Sequence, residues 1–345
     1  MKLRQLQQIL KDKGVDILLL HSLDEQFNAN MFYLSGYDSL GILAVYPTEP
    51  PRLLVPKMEF GLTKDARVRA EIWPKRRFPD VIADLTKDAK SIGLDFRKAT
   101  LAFAEDFKKD QLCDLSGDLI LLRSTKTEDE IELMQQTQRI ADDVFRKTVS
   151  HFKRFSSEQA VAAFMDSAMR DRGVKESFST IVASGPNAAI PHHKPTNKLH
   201  KGLCVIDFGV RYRGYCSDTT RTISCGNPIK EQEQVYHVVK AAQESCTSRY
   251  KPGTVAADID AKARSALGMY RSHFIHGLGH GIGIDVHETP GIRASEKTVL
   301  KNAMVISNEP GVYIPDKMGV RIEDCIVVGK TPRILSKLSR DLVVV

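Results

Sequence analysis

The sequence predicts two successive domains, a smaller α/β domain and a larger α+β domain. Three observations support this. A chain of 345 residues is long enough to bury two cores of ordinary size. A short polar stretch, Arg123-Ser124-Thr125-Lys126, precedes a strong helix start and divides the chain into 1–122 and 123–345. Beyond that point, carboxylates interrupt apolar runs of strand character: Asp207 in Val205-Ile206-Asp207-Phe208, Glu309 after Val305-Ile306-Ser307-Asn308, and Glu323 within a strand over Val320-Arg321-Ile322-Glu323-Asp324-Cys325-Ile326-Val327-Val328.

In the first domain, Leu3, Leu6 and Leu10 recur at helical spacing over residues 1–14. Val15-Asp16-Ile17-Leu18-Leu19-Leu20 then reads as a strand. Gly41 to Tyr46 and Arg52 to Val55 read as a hairpin joined through Pro47 and Pro50-Pro51. Short helices and strands alternate from there to Leu122. In the second domain, Thr127 and Glu130 form a capping box that opens a long helix. Ile131, Met134, Ala141, Val144 and Phe145 mark its inner face. Ser156 with Gln159 is expected to cap a further helix ending at Gly173, and strands are expected from Ser179 to Val210. Two more helices, near 230–250 and 254–268, are separated by Pro252-Gly253 and followed by strands rich in Gly and His.

Composition excludes several classes of function. An apolar fraction of 42% and a charged fraction of 27% describe a soluble globular protein. Met1-Lys2-Leu3-Arg4-Gln5-Leu6 is a charged amphipathic start, not a secretory signal, and no apolar run is long enough to span a membrane. The expected location is the cytoplasm. The net charge of +7 is spread out, with its densest cluster at Lys75-Arg76-Arg77, and no nucleic-acid motif accompanies it. Cysteines 113, 204, 216, 225, 246 and 325 show no CxxC pairing, so reduced, mostly buried thiols are expected.

The chemistry lies in the interrupting carboxylates. A lone carboxylate in a buried strand costs several kcal/mol unless it is paired, protonated or bound to a cation. Asp218 follows Asp207 by eleven residues, and Tyr212-Arg213-Gly214-Tyr215 between them suits a hairpin turn that would set the two side by side. Two carboxylates that close repel unless a cation lies between them. In His276-Gly277-Leu278-Gly279-His280-Gly281-Ile282-Gly283, alternate glycines bare one strand face. His276 and His280 share parity and would point to one side of an extended segment. His287 follows within Val286-His287-Glu288, and Pro310-Gly311 fixes a turn beside Glu309. Arg321 stands two residues from Glu323, as an ion-pair partner or as the guanidinium that orients a ligand carboxylate. Asp207, Asp218, His280, Glu309 and Glu323 together offer four hard oxygen donors and one imidazole. That set points to divalent metal, two ions, and metal-assisted hydrolysis.

The ordered motifs Val205-Ile206-Asp207-Phe208-Gly209, Ser217-Asp218-Thr219-Thr220-Arg221-Thr222, His276-Gly277-x-Gly279-His280-Gly281-x-Gly283, Val286-His287-Glu288, Glu309-Pro310-Gly311 and Arg321-Ile322-Glu323-Asp324 resemble those of the Xaa-Pro peptidases. These are prolidase and aminopeptidase P, of the pita-bread metallopeptidase family. Asn30-Met31-Phe32-Tyr33-Leu34-Ser35-Gly36 resembles the family's creatinase-type N-terminal domain. The resemblance implies an α+β fold in which a creatinase-type α/β domain precedes a pita-bread catalytic domain.

For the site it implies that Asp207 and Asp218 bind one metal, that His280 and Glu309 bind the second, and that Asp218 and Glu323 bridge. A water shared by the two ions would be acidified to hydroxide, the nucleophile of peptide hydrolysis. Glu309 would take its proton and deliver it to the leaving nitrogen, and His287 would donate to the developing oxyanion. His192 matches the family's third substrate-contacting histidine, with His193 the competing choice by one residue. Phe178 and His276 would line the proline pocket, and Tyr313 and Arg321 would support the ligands from behind.

The metals would be Mn or Co, with Zn possible. The partners implied are proline-containing dipeptides or short peptides and a second copy of the chain in a homodimer, with no nucleic acid and no membrane. An Xaa-Pro dipeptidase is favoured over an aminopeptidase P acting on longer peptides. A non-enzymatic binding relative is disfavoured because all five ligand positions are filled. One departure concerns substrate binding. Many microbial prolidases carry Arg four residues after the position of His287; here Gly291 stands there and Arg293 follows two residues later.

Overall fold

A computed structural model describes residues 2–23, 27–74 and 77–345. Lys75 and Arg76 of the basic cluster, and Met1 of the N-terminal segment, lie outside the described residues. The chain divides into two compact units, residues 1–123 and 124–345.

The first unit is built on one six-stranded mixed sheet. Its strands are β1 (Ile17–Ser22), β2 (Gly41–Val45), β3 (Arg52–Val55), β4 (Arg69–Ile72), β5 (Ile92–Leu94) and β6 (Leu112–Asp114), in the spatial order β4-β3-β2-β1-β5-β6. The central strands β1 and β2 are apolar nearly throughout and pair antiparallel, Leu20 facing Leu43. The expected hairpin forms, with Ile42 opposite Leu54 across β2 and β3. Helix α1 (Lys2–Lys13) buries Leu6 and Leu10 at helical spacing. Helix α2 (Ala29–Ser35) starts on an Asn28 side-chain cap and stops at Gly36, whose φ of 73° few other residues adopt without strain. Helices α3 (Phe78–Thr86), α4 (Leu101–Ala104) and α5 (Ser116–Ser124) complete this part of the chain.

In the second unit, two pairs of helices each cover a sheet. Helices α6 (Glu128–His151) and α7 (Glu158–Arg170) lie on a three-stranded sheet of β8 (Ile181–Ser184), β9 (Gly202–Phe208) and β12 (Thr219–Cys225). The small strands β7 (Lys175–Glu176), β10 (Val210–Tyr212) and β11 (Tyr215–Cys216) flank it. Their core joins Phe145, Val161, Met165, Ile206 and Phe208, with Phe145 stacked on Phe208. Helices α8 (Lys230–Thr247) and α9 (Ala256–Ala266) cover the second group. It comprises β13 (Gly279–Gly281), β14 (Glu288–Ile292), β15 (Val305–Asn308), β18 (Asp324–Val327) and β19 (Arg333–Ile334), with the hairpin β16 (Gly311–Ile314) and β17 (Met318–Arg321) beside it. Val239, Ile259, Ile306, Val320 and Ile326 sit in that core. Among the described residues no helix is long and apolar enough to cross a membrane.

Several details differ from the sequence expectation. The cap of α7 is Ser157, which accepts from the Ala160 amide, because Ser156 lies one residue too early to meet the first turn. Helix α7 itself ends at Arg170, and a turn with Gly173 at φ 69° follows. Strand does not run from Ser179 to Val210. A 3₁₀ turn at Gly185–Ala189 and an irregular loop from 190 to 201 intervene, and this loop carries His192. The next two helices end short of their expected limits, at Thr247 and Ala266. Glu323 lies in the step between β17 and β18, not within a strand.

The capping box of α6 is present in full. The Thr127 side chain accepts from the Glu130 amide at 3.3 Å, and Glu130 accepts from the Thr127 amide at 2.8 Å. Thr127→Ala should therefore cost about 0.5–2 kcal/mol, read as a lower thermal midpoint with metal content unchanged. An unaltered midpoint would show that this cap contributes nothing to α6.

Candidate metal centre

The candidate residues converge because their strands end together. Strands β9 and β12 pair antiparallel with Phe208 opposite Thr219 and Asp207 opposite Thr220, so Asp207 and Asp218 emerge at one end of the pair. The turn between them is the expected tight one. Val210–Tyr212 pairs back on Tyr215–Cys216, and Arg213 and Gly214 take φ of 49° and 86°. Strands β15 and β18 pair with Asn308 opposite Asp324, which sets Glu309 and Glu323 one step beyond on neighbouring strands. The Glu323 amide donates to the Thr220 carbonyl at 3.0 Å, joining the two groups of strands at the cluster. His280 comes from β13, where it faces Gly291 of β14. Gly279 beside it is required by packing: a Cβ there would lie 2.2 Å from the Ser307 carbonyl oxygen.

A cavity of about 880 Å³ opens over this cluster. Asp207, Asp218, His280, Glu309 and Glu323 line it, with Phe178, His192, His193, His276, His287, Arg293 and Arg321. Tyr313 is not on that surface; it is buried behind it and reaches the site through Arg321 and His276. His276 lies outside β13, so an extended segment does not account for its sharing the cavity with His280. Single oxygens or nitrogens of Asp218, His280 and Glu323 lie within 4.8 Å of one another. His280 Nε2 stands 3.6 Å from Asp218 Oδ2 and 3.4 Å from Glu309 Oε1. Its ring packs edge-on against His287, centroids 4.3 Å apart.

Arg321 is not the partner of Glu323. Its Nη2 donates to Asp207 Oδ2 at 2.7 Å, its Nε to Thr220 Oγ1 at 3.0 Å and its Nη1 to the Tyr313 hydroxyl at 2.9 Å. Thr220 Oγ1 in turn donates to Glu323 Oε2 at 2.9 Å. The guanidinium points to Asp207 because β17 runs beside β9, and Thr220 links it to Glu323. The chain of contacts continues to His276, whose Nε2 lies 2.9 Å from the Tyr313 hydroxyl and whose Nδ1 lies 2.7 Å from the Gly277 carbonyl. That carbonyl can only accept, so Nδ1 carries the proton and Nε2 accepts from Tyr313. Burial holds His276 down at about 4, so the ring is neutral.

The comparisons with known proteins agree with one another. Residues 132–330 match metallopeptidase family M24, and residues 2–125 match the creatinase/prolidase N-terminal domain. An Xaa-Pro dipeptidase of Pyrococcus furiosus is 34% identical over 96% of this chain and 98% of its own. The solved prolidase of Pyrococcus horikoshii superposes with a TM-score of 0.91 at 31% identity, covering 99% of both chains. An X-Pro aminopeptidase of Thermotoga maritima superposes with a TM-score of 0.90 at 31% identity, covering 96% of this chain and 98% of its own.

This chain belongs to metallopeptidase family M24. It is a hydrolase with the pita-bread catalytic fold behind a creatinase-type N-terminal domain. Family M24 implies divalent metal, and three features of the donor set fit it. First, Asp207 Oδ1 and Glu323 Oε1 are buried with no hydrogen-bond donor, an expensive arrangement for an anionic oxygen unless a cation supplies the charge. Second, burial raises Asp218 and Glu323 well above the carboxylate range and Glu309 to about 8, and the neighbouring carboxylates add to each shift. Third, His280 Nδ1 lies 3.0 Å from the Gly281 carbonyl and donates to it, so its Nε2 lone pair faces two carboxylate oxygens. Where those carboxyls are ionised, acceptor faces acceptor, and an ion between them turns repulsion into coordination.

The elevated carboxyls give a signed prediction. Glu309, pushed up to about 8, holds a proton at pH 7 in the metal-free protein, and bound metal displaces it. Titrating divalent metal into stripped protein at pH 7 should release protons, read as a calorimetric enthalpy that varies with the ionisation enthalpy of the buffer. The imidazole contributes little, since burial keeps His280 neutral. An enthalpy independent of buffer would show that the carboxyls were already ionised.

Proposed function

We propose that this M24 hydrolase is an Xaa-Pro dipeptidase, and the observation that carries the reading is the course of the Arg293 side chain. Arg293 stands one residue past the end of β14, where the chain bends. Gly291 faces His280 across the β13–β14 pair and has no side chain. Arg293 folds back into that space: a Cβ on Gly291 would lie 3.6 Å from Arg293 Nε and 3.8 Å from its Cδ. The guanidinium so occupies the surroundings of residue 291 on the cavity wall, suited to the free carboxylate of a dipeptide. The Xaa-Pro dipeptidase of Pyrococcus furiosus and the prolidase of Pyrococcus horikoshii support the same reading.

Asp207, Asp218, His280, Glu309 and Glu323 would hold two divalent ions. When bound, the metal would polarise the scissile carbonyl and lower the pKa of the attacking water. Glu309 accepts that water's proton and returns it to the leaving nitrogen, which before proline is a tertiary amide that must be protonated to depart. His287 is neutral, because burial and the neighbouring His280 lower it, and still has one N–H to give to the oxyanion. His276 has both ring nitrogens engaged, so it serves as a wall of the proline pocket with Phe178 rather than as a proton donor. His193 is engaged 2.9 Å from the Glu158 carboxylate, which supports His192 as the histidine that would meet the substrate.

Two experiments test this division of labour. Asp218→Asn should lose metal and activity together. His287→Ala should keep its metal and lose roughly 10²–10³-fold in rate, the cost of one oxyanion donor. Elemental analysis beside kinetics separates the two, and loss of metal from the His287 variant would reverse the assignment of His280. For substrate length, Arg293→Ala should weaken hydrolysis of an Xaa-Pro dipeptide far more than of the matched Xaa-Pro-Xaa tripeptide. Equal loss on both, or none, would favour an aminopeptidase.

A further inference from the structure

Outside the cluster the second unit buries another carboxylate. Glu158 opens helix α7 and is 0% exposed. Six donors surround it. On Oε1 it accepts from the Ser184 amide at 2.7 Å, the Ser184 hydroxyl at 2.7 Å and Asn187 Nδ2 at 3.0 Å. On Oε2 it accepts from His193 Nε2 at 2.9 Å, the Thr196 amide at 2.9 Å and the Thr196 hydroxyl at 2.8 Å. Burial pushes this carboxyl up, but the donors of Asn187, Ser184 and Thr196 outweigh it and bring it down to about 2. It is therefore an anion, and His193 must carry a proton on Nε2.

All six donors come from residues 184–196, the segment that carries His192. That segment has no regular structure after Ala189. Strand pairing cannot hold a loop of this kind, so side chains must. The Thr196 and Lys198 carbonyls also accept from the first two amides of α7, Gln159 at 3.0 Å and Glu158 at 2.9 Å. The loop is fastened to the start of the helix by its 193–198 half, while His192 is exposed to the cavity. His192 lines the same cavity as His276 and His287, which places it among the residues proposed to handle substrate.

We propose that Glu158 is a positioning residue for substrate: its carboxylate gathers Ser184, Asn187, His193 and Thr196 and so fixes the direction in which His192 enters the cavity. This rests on the reading of His192 as the substrate-contacting histidine. A glutamine cannot replace the glutamate, because its amide nitrogen would set donors against donors. Aspartate keeps the charge and both oxygens on a shorter stem.

The test compares Glu158→Gln, Glu158→Asp, His192→Ala and the double variant Glu158→Gln/His192→Ala, each checked for metal content and thermal midpoint. Glu158→Gln should keep its metal and lose roughly 10–100-fold in kcat/KM on an Xaa-Pro dipeptide, the scale of a small misplacement. It should show the same split between KM and kcat as His192→Ala. Added to His192→Ala, it should cost less than about threefold more, as expected when two residues act through one contact. Glu158→Asp should recover part of the loss. Independent, multiplying losses in the double variant would overturn the proposal while leaving His192 in its role. A His192→Ala enzyme with wild-type kcat/KM would instead remove the reading of His192. Should Glu158→Gln fail to fold, His193→Ala and Thr196→Val each remove donors from Oε2 and should give a smaller loss with the same split. No loss in either would equally overturn the proposal.

Discussion

The second unit is organised around negative charge gathered out of water. Asp207, Asp218, Glu309 and Glu323 come from four chain segments to one point, and Arg321 is the cation the chain itself brings to them. One guanidinium does not balance four carboxylates, and burial first, with the neighbouring carboxylates adding to it, raises Asp218, Glu309 and Glu323. A fold holds such a cluster only if its own stability comes from elsewhere. Here the two apolar cores under α6–α7 and α8–α9 supply it, and the cluster occupies strand ends where ladder pairing stops.

The layers behind the cluster contain further buried charge, but matched. Arg221 donates to Asp324 Oδ1 at 2.7 Å, and Asp324 Oδ2 takes Arg340 at 2.6 Å and Gln243 at 2.8 Å. Lys126 and Glu288, both nearly inaccessible, pair at 2.9 Å, and Glu288 also accepts from the Ile284 and Asp285 amides of the turn before His287. Breaking a buried pair strands the surviving charge, so each of these contacts resists displacement. Their common effect is geometric. Arg221 and Asp324 fix the chain on either side of Glu323, and Lys126 with Glu288 fixes the segment that presents His287. The contrast between saturated pairs behind and unsatisfied oxygens in front is the physical signature of a metal site.

Local signals were legible from sequence wherever they depend on neighbours along the chain. The Thr127 capping box, the inner face of α6, the Arg213-Gly214 turn and the β2–β3 hairpin all rest on interactions over a few residues. So did the interrupting carboxylates, because an acid inside an apolar run violates a local rule. Long-range pairing was not legible. Arg321 is two residues from Glu323 but reaches Asp207, 114 positions away. Glu158 reads as an ordinary acidic residue in the first turn of a helix, favoured there by the helix dipole, and nothing adjacent announces that it is buried under six donors. Ser156 was expected as the cap of α7, but the Ala160 amide donates to Ser157 instead.

Gly291 and Arg293 show a further limit of reading positions singly. A residue is recognised by its place in a motif, yet the substrate would meet the end of the side chain, and a long side chain can serve a place that is not its own. Arginine at position 291 would need the volume that a glycine leaves open there. Arginine at 293, just past the end of β14, reaches back with its three methylenes, its Nε coming within van der Waals contact of where a Cβ on 291 would stand.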